Sequence, residues 1–364
     1  FSLTGLPLTL EAAREHPPST ESRKFVAGKK VAVLGTGSWG TTFSQVLADA
    51  GHDVCMWGRR DVVVDMINSG ENSTYLPGVD LSERITATTS MEQALDGAEI
   101  VVLAIPVQVT GEVVRKATAI NPGATYLSLS KGIEMGTNRS VSQIMREDGN
   151  LSPEQVAVVS GPNLSMEIAM KQAAASVVAS EDAETAKRLA KACHNPYFRP
   201  YASTDVVGTE IAGATKNVIA IAIGASEGQG YGANTRATLM TRGLAEMTRL
   251  GEALGADPQT FAGLAGIGDI IATCSSKLSR NYSLGYRLGK GMTLEEALAL
   301  SPGVAEGAKT AGPLLELADS LGVDMPITRG VVSALTGQAT VKEMGEMLLG
   351  RPQKMDGWRI ELLD

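Results

Sequence analysis

Histidine and cysteine are nearly absent from this chain of 364 residues, which holds three of each. A metal site built from imidazole and thiolate, or a disulfide scaffold, has little to draw on. Cys55, Cys193 and Cys274 are far apart and form no CxxC pair, which fits a reducing compartment. A surplus of positive charge is also missing: 32 Lys and Arg against 40 Asp and Glu leave a formal charge of −8. That balance gives no overall pull toward nucleic acid or an anionic membrane. The longest strongly apolar runs, 100–107 and 218–225, are under half a membrane span. The expectation is a soluble protein with no membrane span, no nucleic-acid partner and no bound metal.

Apolar residues make up 43% and charged residues 20% of the chain, enough to bury a full core and to exclude disorder throughout. The length suggests two domains. Glycine is in surplus: 40 residues of 364 are about 11%, against a usual 7% or so. Residues 1–28 read as a tail, with Pro7, Pro17 and Pro18, mixed charges and no sustained period. The tail lacks a signal peptide's apolar centre, and Glu11, Glu15 and Glu21 argue against an organellar transit peptide. The chain starts at Phe1, so an upstream segment removed earlier is compatible with it. It ends Glu-Leu-Leu-Asp, without the Ser-Lys-Leu of peroxisomal import. The expected location is the cytoplasm, or a plastid for a eukaryotic source.

From residue 29 to 209, short β-branched runs alternate with helical stretches. The predicted strands are 30–34, 53–57, 85–88, 100–105, 125–130, 156–159, 175–179 and 199–202. Alternating βαβ units imply a doubly wound, largely parallel sheet with helices on both faces. From 210 onward the pattern reads as helices, at 211–226, 235–254, 280–290, 294–300, 305–321, 328–335 and 341–349. The expected organisation is therefore a tail (1–28), a Rossmann-like dinucleotide-binding domain (29–209) and an all-helical substrate domain (210–364).

The first strand runs into Gly35-Thr-Gly37-Ser38-Trp39-Gly40, followed at once by an amphipathic helix. A GxGxxG alone can be a plain turn; here a strand precedes it, a helix follows, and a second strand ends about 20 residues on. Gly35 permits the tight turn, Gly37 lets backbone approach a pyrophosphate, and Gly40 allows close helix–strand packing. The helix N-terminus then offers N–H groups to the phosphates. At the end of the second strand an NAD-preferring site carries an acid, whereas this chain has Arg59 and Arg60. Two guanidiniums can pair a 2′-phosphate and stack on adenine, or simply be solvated charges. Asp61 keeps NAD open, so the reading is NADP or NAD with NADP favoured.

Lys216 sits inside the nearly continuous apolar stretch 211–225. A charge there costs several kcal/mol unless it is paired or neutralised. Burial lowers a lysine's pKa and makes it a usable acid or base near neutrality. The alternatives are that Lys216 snorkels out or pairs with a carboxylate. Asp269, framed by glycines in Gly266-Ile-Gly268-Asp269, is either a turn residue or that partner. Ser279-Arg280-Asn281 opens another amphipathic helix, with Ser279 as its N-cap. Arg280 at a helix N-terminus conflicts with the macrodipole, and a bound phosphate would remove the conflict. An exposed first-turn arginine with no ligand is the plainer reading.

In order along the chain stand GTGSWGT, SKGIE at Ser130–Glu134, SGPN at Ser160–Asn163, KNVIAI from Lys216, GIGDIIATC from Gly266, SRN at Ser279 and VAEG ending at Gly307. Together these resemble the NAD(P)-dependent sn-glycerol-3-phosphate dehydrogenases of the bacterial and plastid kind, over roughly residues 29–351. The resemblance implies a fold like that of 6-phosphogluconate dehydrogenase, a homodimer, and reversible conversion of dihydroxyacetone phosphate to sn-glycerol 3-phosphate for phospholipid synthesis. It implies that Lys216 exchanges the proton, that Lys131 contacts substrate and cofactor, and that Asp269 contacts substrate. It likewise implies a phosphate-binding turn at Ser279, Arg280 and Asn281, with Arg280 also near the cofactor, and substrate contacts at Gly161 and Asn163. Ser38, Trp39, Arg59, Ser165, Val304 and Glu306 match cofactor-binding positions. One departure is that the family's usual Ser-Phe-Ala after SGP is replaced by Asn163-Leu164-Ser165.

Tyr75 fits a family loop, though a packing aromatic is the simpler reading. None of His16, His52 and His194 lies in a motif, and all three are expected at surfaces or turns. That argues against a histidine-based hydroxyacid dehydrogenase. Other readings are a different β-hydroxyacid-type dehydrogenase, such as a 6-phosphogluconate-like or ketopantoate-reducing enzyme, and a catalytically silent NAD(P) sensor.

Overall fold

The computed structural model describes residues 28–300 and 305–350. The tail expected at 1–28 lies outside them except for Gly28, as do Val304 and His16.

Eight strands form one sheet in the order β3-β2-β1-β4-β5-β6-β7-β8. They are β1 (Lys30–Leu34), β2 (Asp53–Trp57), β3 (Ile85–Thr88), β4 (Ile100–Leu103), β5 (Thr125–Ser128), β6 (Val156–Ser160), β7 (Ala174–Ala179) and β8 (Phe198–Ser203). Each predicted strand is present. Two end earlier than their β-branched runs, β4 at Leu103 and β5 at Ser128, because the chain leaves the sheet there to build loops. Every ladder is parallel except β6 with β7, where Val158 faces Ala179 and Ser160 faces Val177 in antiparallel register. β1, β4, β5 and β6 are adjacent and parallel, so their carboxyl ends line one edge. In open sheets of this kind ligands bind at that edge, where the strand order reverses, here between β1 and β4.

The sheet's inner strands are apolar on both faces, as a covered parallel sheet requires. Val31, Val33, Val102 and Leu127 belong to one buried cluster and Ala32, Leu34, Val101, Leu103 and Tyr126 to another. His52 departs from expectation. It is 3% exposed, its Nδ1 accepts from Lys29 N at 3.1 Å, and its Nε2 lies 2.9 Å from Ala192 O. It ties the start of β1 to the helix before β8 and takes no part in the site; His194 is exposed.

After β8 comes a central helix, Val206–Gly228, which starts five residues before its apolar run because Asp205 caps it through Gly208 N. It is long and apolar enough to cross a membrane, yet most of it is buried inside the protein. The helices Ala233–Ala253, Asp269–Ser275, Arg280–Gly289, Glu306–Ser320 and Pro326–Leu335 surround it. Its contact with Arg280–Gly289 is backbone against backbone. A Cβ at Gly224 would lie 2.0 Å from Tyr282 O, and one at Gly285 would lie 2.0 Å from Ile221 O. Much of the glycine surplus serves such close helix packing and not a ligand. The segment around Asp269, where no helix is predicted, is a turn of π-helix (Leu264–Gly268) running into the helix Asp269–Ser275. Gly266 permits it, since a Cβ there would meet Phe261 O at 2.1 Å.

Candidate active site

The glycine loop leaves β1 at the carboxyl edge of the sheet. Gly35 has φ +125°, a left-handed conformation, and a Cβ there would lie 2.2 Å from Ala104 O. A Cβ at Gly40 would press on Gly35 O at 2.4 Å and on the Ala104 side chain at 2.9 Å. Around Gly37 a Cβ would meet nothing within 4 Å, so this position is open to an approaching ligand. The helix Ser38–Asp49 begins there with no side-chain cap on its first N–H groups. Trp39 packs edge-on against Phe43 at 5.5 Å, and its buried Nε1 has no hydrogen-bond partner among the described residues. An anionic diphosphate at free helical N–H groups, beside an unpaired indole donor, fits these residues.

Arg59 and Arg60 are exposed just beyond β2. The chain between them and the loop is tight, since a Cβ at Gly58 would meet Thr36 Cγ2 at 2.7 Å. Arg60 stacks over Tyr75, 5.2 Å from the ring centroid, and donates to its hydroxyl. Tyr75 is therefore more than packing: it orients one of the two guanidiniums. Asn72, three residues earlier and fully buried, donates to Thr36 O at 3.0 Å and to Thr41 Oγ1 at 2.8 Å. It braces the glycine loop from below, a role without a sequence motif.

The loops after β5 and β6 meet the helical part at three charged side chains. Lys131 follows β5, with Ser130 pinned by donation to Ile105 O at 2.5 Å. Lys131 Nζ donates to Gly161 O at 3.0 Å and lies 2.6 Å from Asp269 Oδ2. Lys216 Nζ lies 3.2 Å from Asp269 Oδ1 and donates to Thr273 Oγ1 at 2.8 Å. Thr273 in turn donates to Asp269 Oδ1 at 3.0 Å. Lys216 thus pairs with a carboxylate and does not snorkel. Asp269 is a helical residue and the partner of both lysines. Thr273, which sequence reasoning missed, sits one helical turn beyond Asp269 and so shares its face.

Burial alone would raise the Asp269 carboxyl, but the ammonium groups of Lys131 and Lys216 outweigh it and hold it below the usual carboxylate range. Lys131 moves the other way. Burial pulls its ammonium down to about 8, against the opposing attraction of Asp269 and with help from Lys216. The cluster sets two lysines on the two oxygens of one buried carboxylate.

Around the cluster, Gly161 takes φ +139° and offers its carbonyl to Lys131. Asn163 donates to Ser176 Oγ at 3.1 Å, and its buried Oδ1 has no partner among the described residues. Ser165 opens the helix Ser165–Ala169, and its carbonyl accepts from Thr42 Oγ1 at 3.2 Å, which ties this loop to the glycine-loop helix. Ser279 caps its helix by accepting from Tyr282 N at 3.3 Å. Asn281 is buried, donating to Asn217 Oδ1 at 2.9 Å and accepting from Gly307 N at 3.0 Å. It therefore holds the Glu306 turn against the central helix. Arg280 stays exposed. Burial raises the Glu306 carboxyl, and the nearby Arg280 charge opposes that rise.

Sequence models of two protein families match the chain: the NAD-dependent glycerol-3-phosphate dehydrogenase N-terminus over residues 30–186 and the C-terminus of the same enzymes over residues 205–346. Among similar proteins, the glycerol-3-phosphate dehydrogenase [NAD(P)+] of Corynebacterium diphtheriae is 52% identical over 330 residues, covering 90% of this chain and 100% of the relative. The protein of the same name from Streptomyces coelicolor is 51% identical over 322 residues, 88% of this chain and 96% of the relative. Among solved structures, glycerol-3-phosphate dehydrogenase from Coxiella burnetii superposes with a TM-score of 0.85 at 33% identity, covering 89% of this chain and 99% of that one.

Proposed function

The chain belongs to the NAD-dependent glycerol-3-phosphate dehydrogenase family, and from that premise we propose that it reversibly reduces dihydroxyacetone phosphate to sn-glycerol 3-phosphate. The observation that carries the reading is the Asp269 carboxylate shared by Lys131 and Lys216 beside the carboxyl edge of the sheet. It holds two lysine donors ready for an electron-rich carbonyl oxygen, all three side chains being nearly buried.

When bound, NAD(P)H supplies the hydride equivalent. Gly35, Gly37, Ser38, Trp39 and Gly40 would hold its diphosphate, and Arg59 and Arg60 its adenosine end. Ser165, Glu306 and Val304 complete the cofactor contacts in the proposal. Arg280, exposed in the first turn of a helix capped by Ser279, binds the substrate phosphate with Ser279 and Asn281. That remote anchor fixes where C2 lies, so binding energy is spent on orientation. Asn163 and Gly161 line the substrate from the β6 side. Lys216 protonates the carbonyl oxygen in reduction and takes the proton back in the reverse direction. Asp269 keeps Lys216 aimed, with Thr273 holding both. Lys131 contributes its charge to the oxygen that becomes anionic as the carbonyl is reduced.

In the same proposal, residues 29–209 are the dinucleotide-binding domain and 210–364 the substrate domain, joined into a homodimer. NADP is favoured over NAD because two guanidiniums stand where an acid would accept from a ribose hydroxyl. The half-identical relatives are bacterial, which supports a cytoplasmic setting and a role in supplying glycerol 3-phosphate for phospholipid synthesis. The test is a substrate panel. NADPH oxidation with dihydroxyacetone phosphate, none with ketopantoate, and no reduction of NADP+ by 6-phosphogluconate, is the expected result. Turnover of either of those and not of dihydroxyacetone phosphate overturns the reading.

A further inference from the structure

Gly213 stands in the interior of the central helix, one turn before Lys216, where glycine is less favourable than alanine. The reason lies on the Lys131 side. A Cβ at Gly213 would come 2.9 Å from Ser160 Oγ, 3.3 Å from Lys131 Cγ and 3.4 Å from Lys131 Cδ. The missing side chain makes the berth in which the Lys131 stem lies.

Behind that berth is a small cavity of about 10 Å³, lined by Lys131, Ser160, Thr209, Glu210 and Gly213 among others. This is about the space one water molecule needs. Ser160 is 2% exposed, and its buried Oγ has no hydrogen-bond partner among the described residues. A buried hydroxyl without a partner is costly, and a water is its usual remedy. Glu210 forms the opposite wall. It accepts from Ser142 N at 2.8 Å, Ser140 Oγ at 2.8 Å and Ser142 Oγ at 2.6 Å, anchoring the helix Val141–Gly149 that follows the Lys131 loop. The loop carrying Lys131 is thus tied to the helix carrying Lys216, with the cavity at the junction.

We propose that this cavity binds one structural water, hydrogen-bonded to Ser160 Oγ, and that Gly213 is a positioning residue which keeps room for that water and for the Lys131 side chain. The inference rests on the role given to Lys131 in the proposed reaction. Gly213 touches neither substrate nor cofactor; it acts through Lys131. A methyl group there presses on the Lys131 stem and on Ser160, while Lys216, on the same helix, keeps its own partners. The expected consequence is a misplaced ammonium in a helix that is no less stable.

Two measurements test this. A high-resolution crystal structure of the wild-type holoenzyme should show one water within hydrogen-bond distance of Ser160 Oγ, and the Gly213→Ala structure should lack it. In solution, Gly213→Ala should keep or raise the melting temperature, while kcat falls about tenfold or more. Ser160→Ala removes the hydroxyl without narrowing the berth and should cost less than Gly213→Ala in kcat. A dry cavity in the wild type overturns the water site. A Gly213→Ala enzyme with unchanged kcat overturns the positioning role, as does a loss of kcat accompanied by a fall in melting temperature. A wild type that does not reduce dihydroxyacetone phosphate at all sinks the functional reading instead, and the density at Ser160 still decides the water.

Discussion

Lys131 and Asp269, separated by 138 positions in the chain, meet at 2.6 Å, and the carboxylate's other oxygen lies 3.2 Å from Lys216. One buried acid therefore joins a loop of the sheet to two helices of the helical region. Side chains of the three are 11%, 1% and 10% exposed, so these are pairs in a poorly screened setting where removal of one partner is costly.

Asp269→Asn leaves two buried ammonium groups facing a neutral amide. The variant should lose about 3–5 kcal/mol of unfolding free energy along with nearly all activity, as read by urea unfolding and steady-state rates. The sign of its pH dependence follows from the lowered carboxyl. In the folded protein Asp269 releases its proton at lower pH than its ordinary 3.8. Its stabilising contribution is full above that value and is lost as pH falls through the folded pKa. The Asn variant should lack that part of the acid sensitivity of the wild type.

Lys131 titrates at about 8 in the ligand-free protein, below its ordinary 10.5. Its charge is present below pH 8 and is lost above it. Since kcat/KM reports the free enzyme, kcat/KM for dihydroxyacetone phosphate should fall as pH rises past about 8. Lys131→Arg keeps its charge to far higher pH and should move that fall upward, whatever its cost in absolute rate. An unchanged alkaline limb assigns the titration to another group.

Replacing both Arg59 and Arg60 by Ala should lower kcat/KM with NADPH by about tenfold or more, the worth of one lost charge-assisted pair. With NADH, which has no 2′-phosphate, the change should be small. Equal losses with both cofactors would remove the basis for favouring NADP. Arg280→Ala is the complementary test. It should raise KM for the phosphorylated substrate far more than it changes cofactor affinity, and an equal rise in both would give Arg280 to the cofactor as well.

Strands were legible because parallel β-strands covered on both faces need β-branched and apolar runs, and the runs at 30–34 and 53–57 coincide with β1 and β2. Direction was not legible: nothing in 174–179 distinguishes an antiparallel β7 from a parallel one, because both bury the same residues. The glycine loop, Lys216 and the Ser279 cap carried local signals, whereas Lys131 was singled out only by the family resemblance. The helix Asp269–Ser275 did not, because its start depends on Gly266 closing against Phe261, and glycine in sequence reads as turn. Without that helix, Thr273 had no reason to be placed beside Asp269. Asn72, Ser160 and Glu210 matter through partners 20 or more positions away, which no window along the chain displays.

The central claim is that Lys216 moves the proton in a site built around Asp269. Its most direct test is the turnover of Lys216→Ala alongside its affinity for NADPH, followed by cofactor fluorescence. The account predicts that turnover with dihydroxyacetone phosphate is abolished while NADPH binding stays as in the wild type. Near-normal turnover in that variant would contradict it.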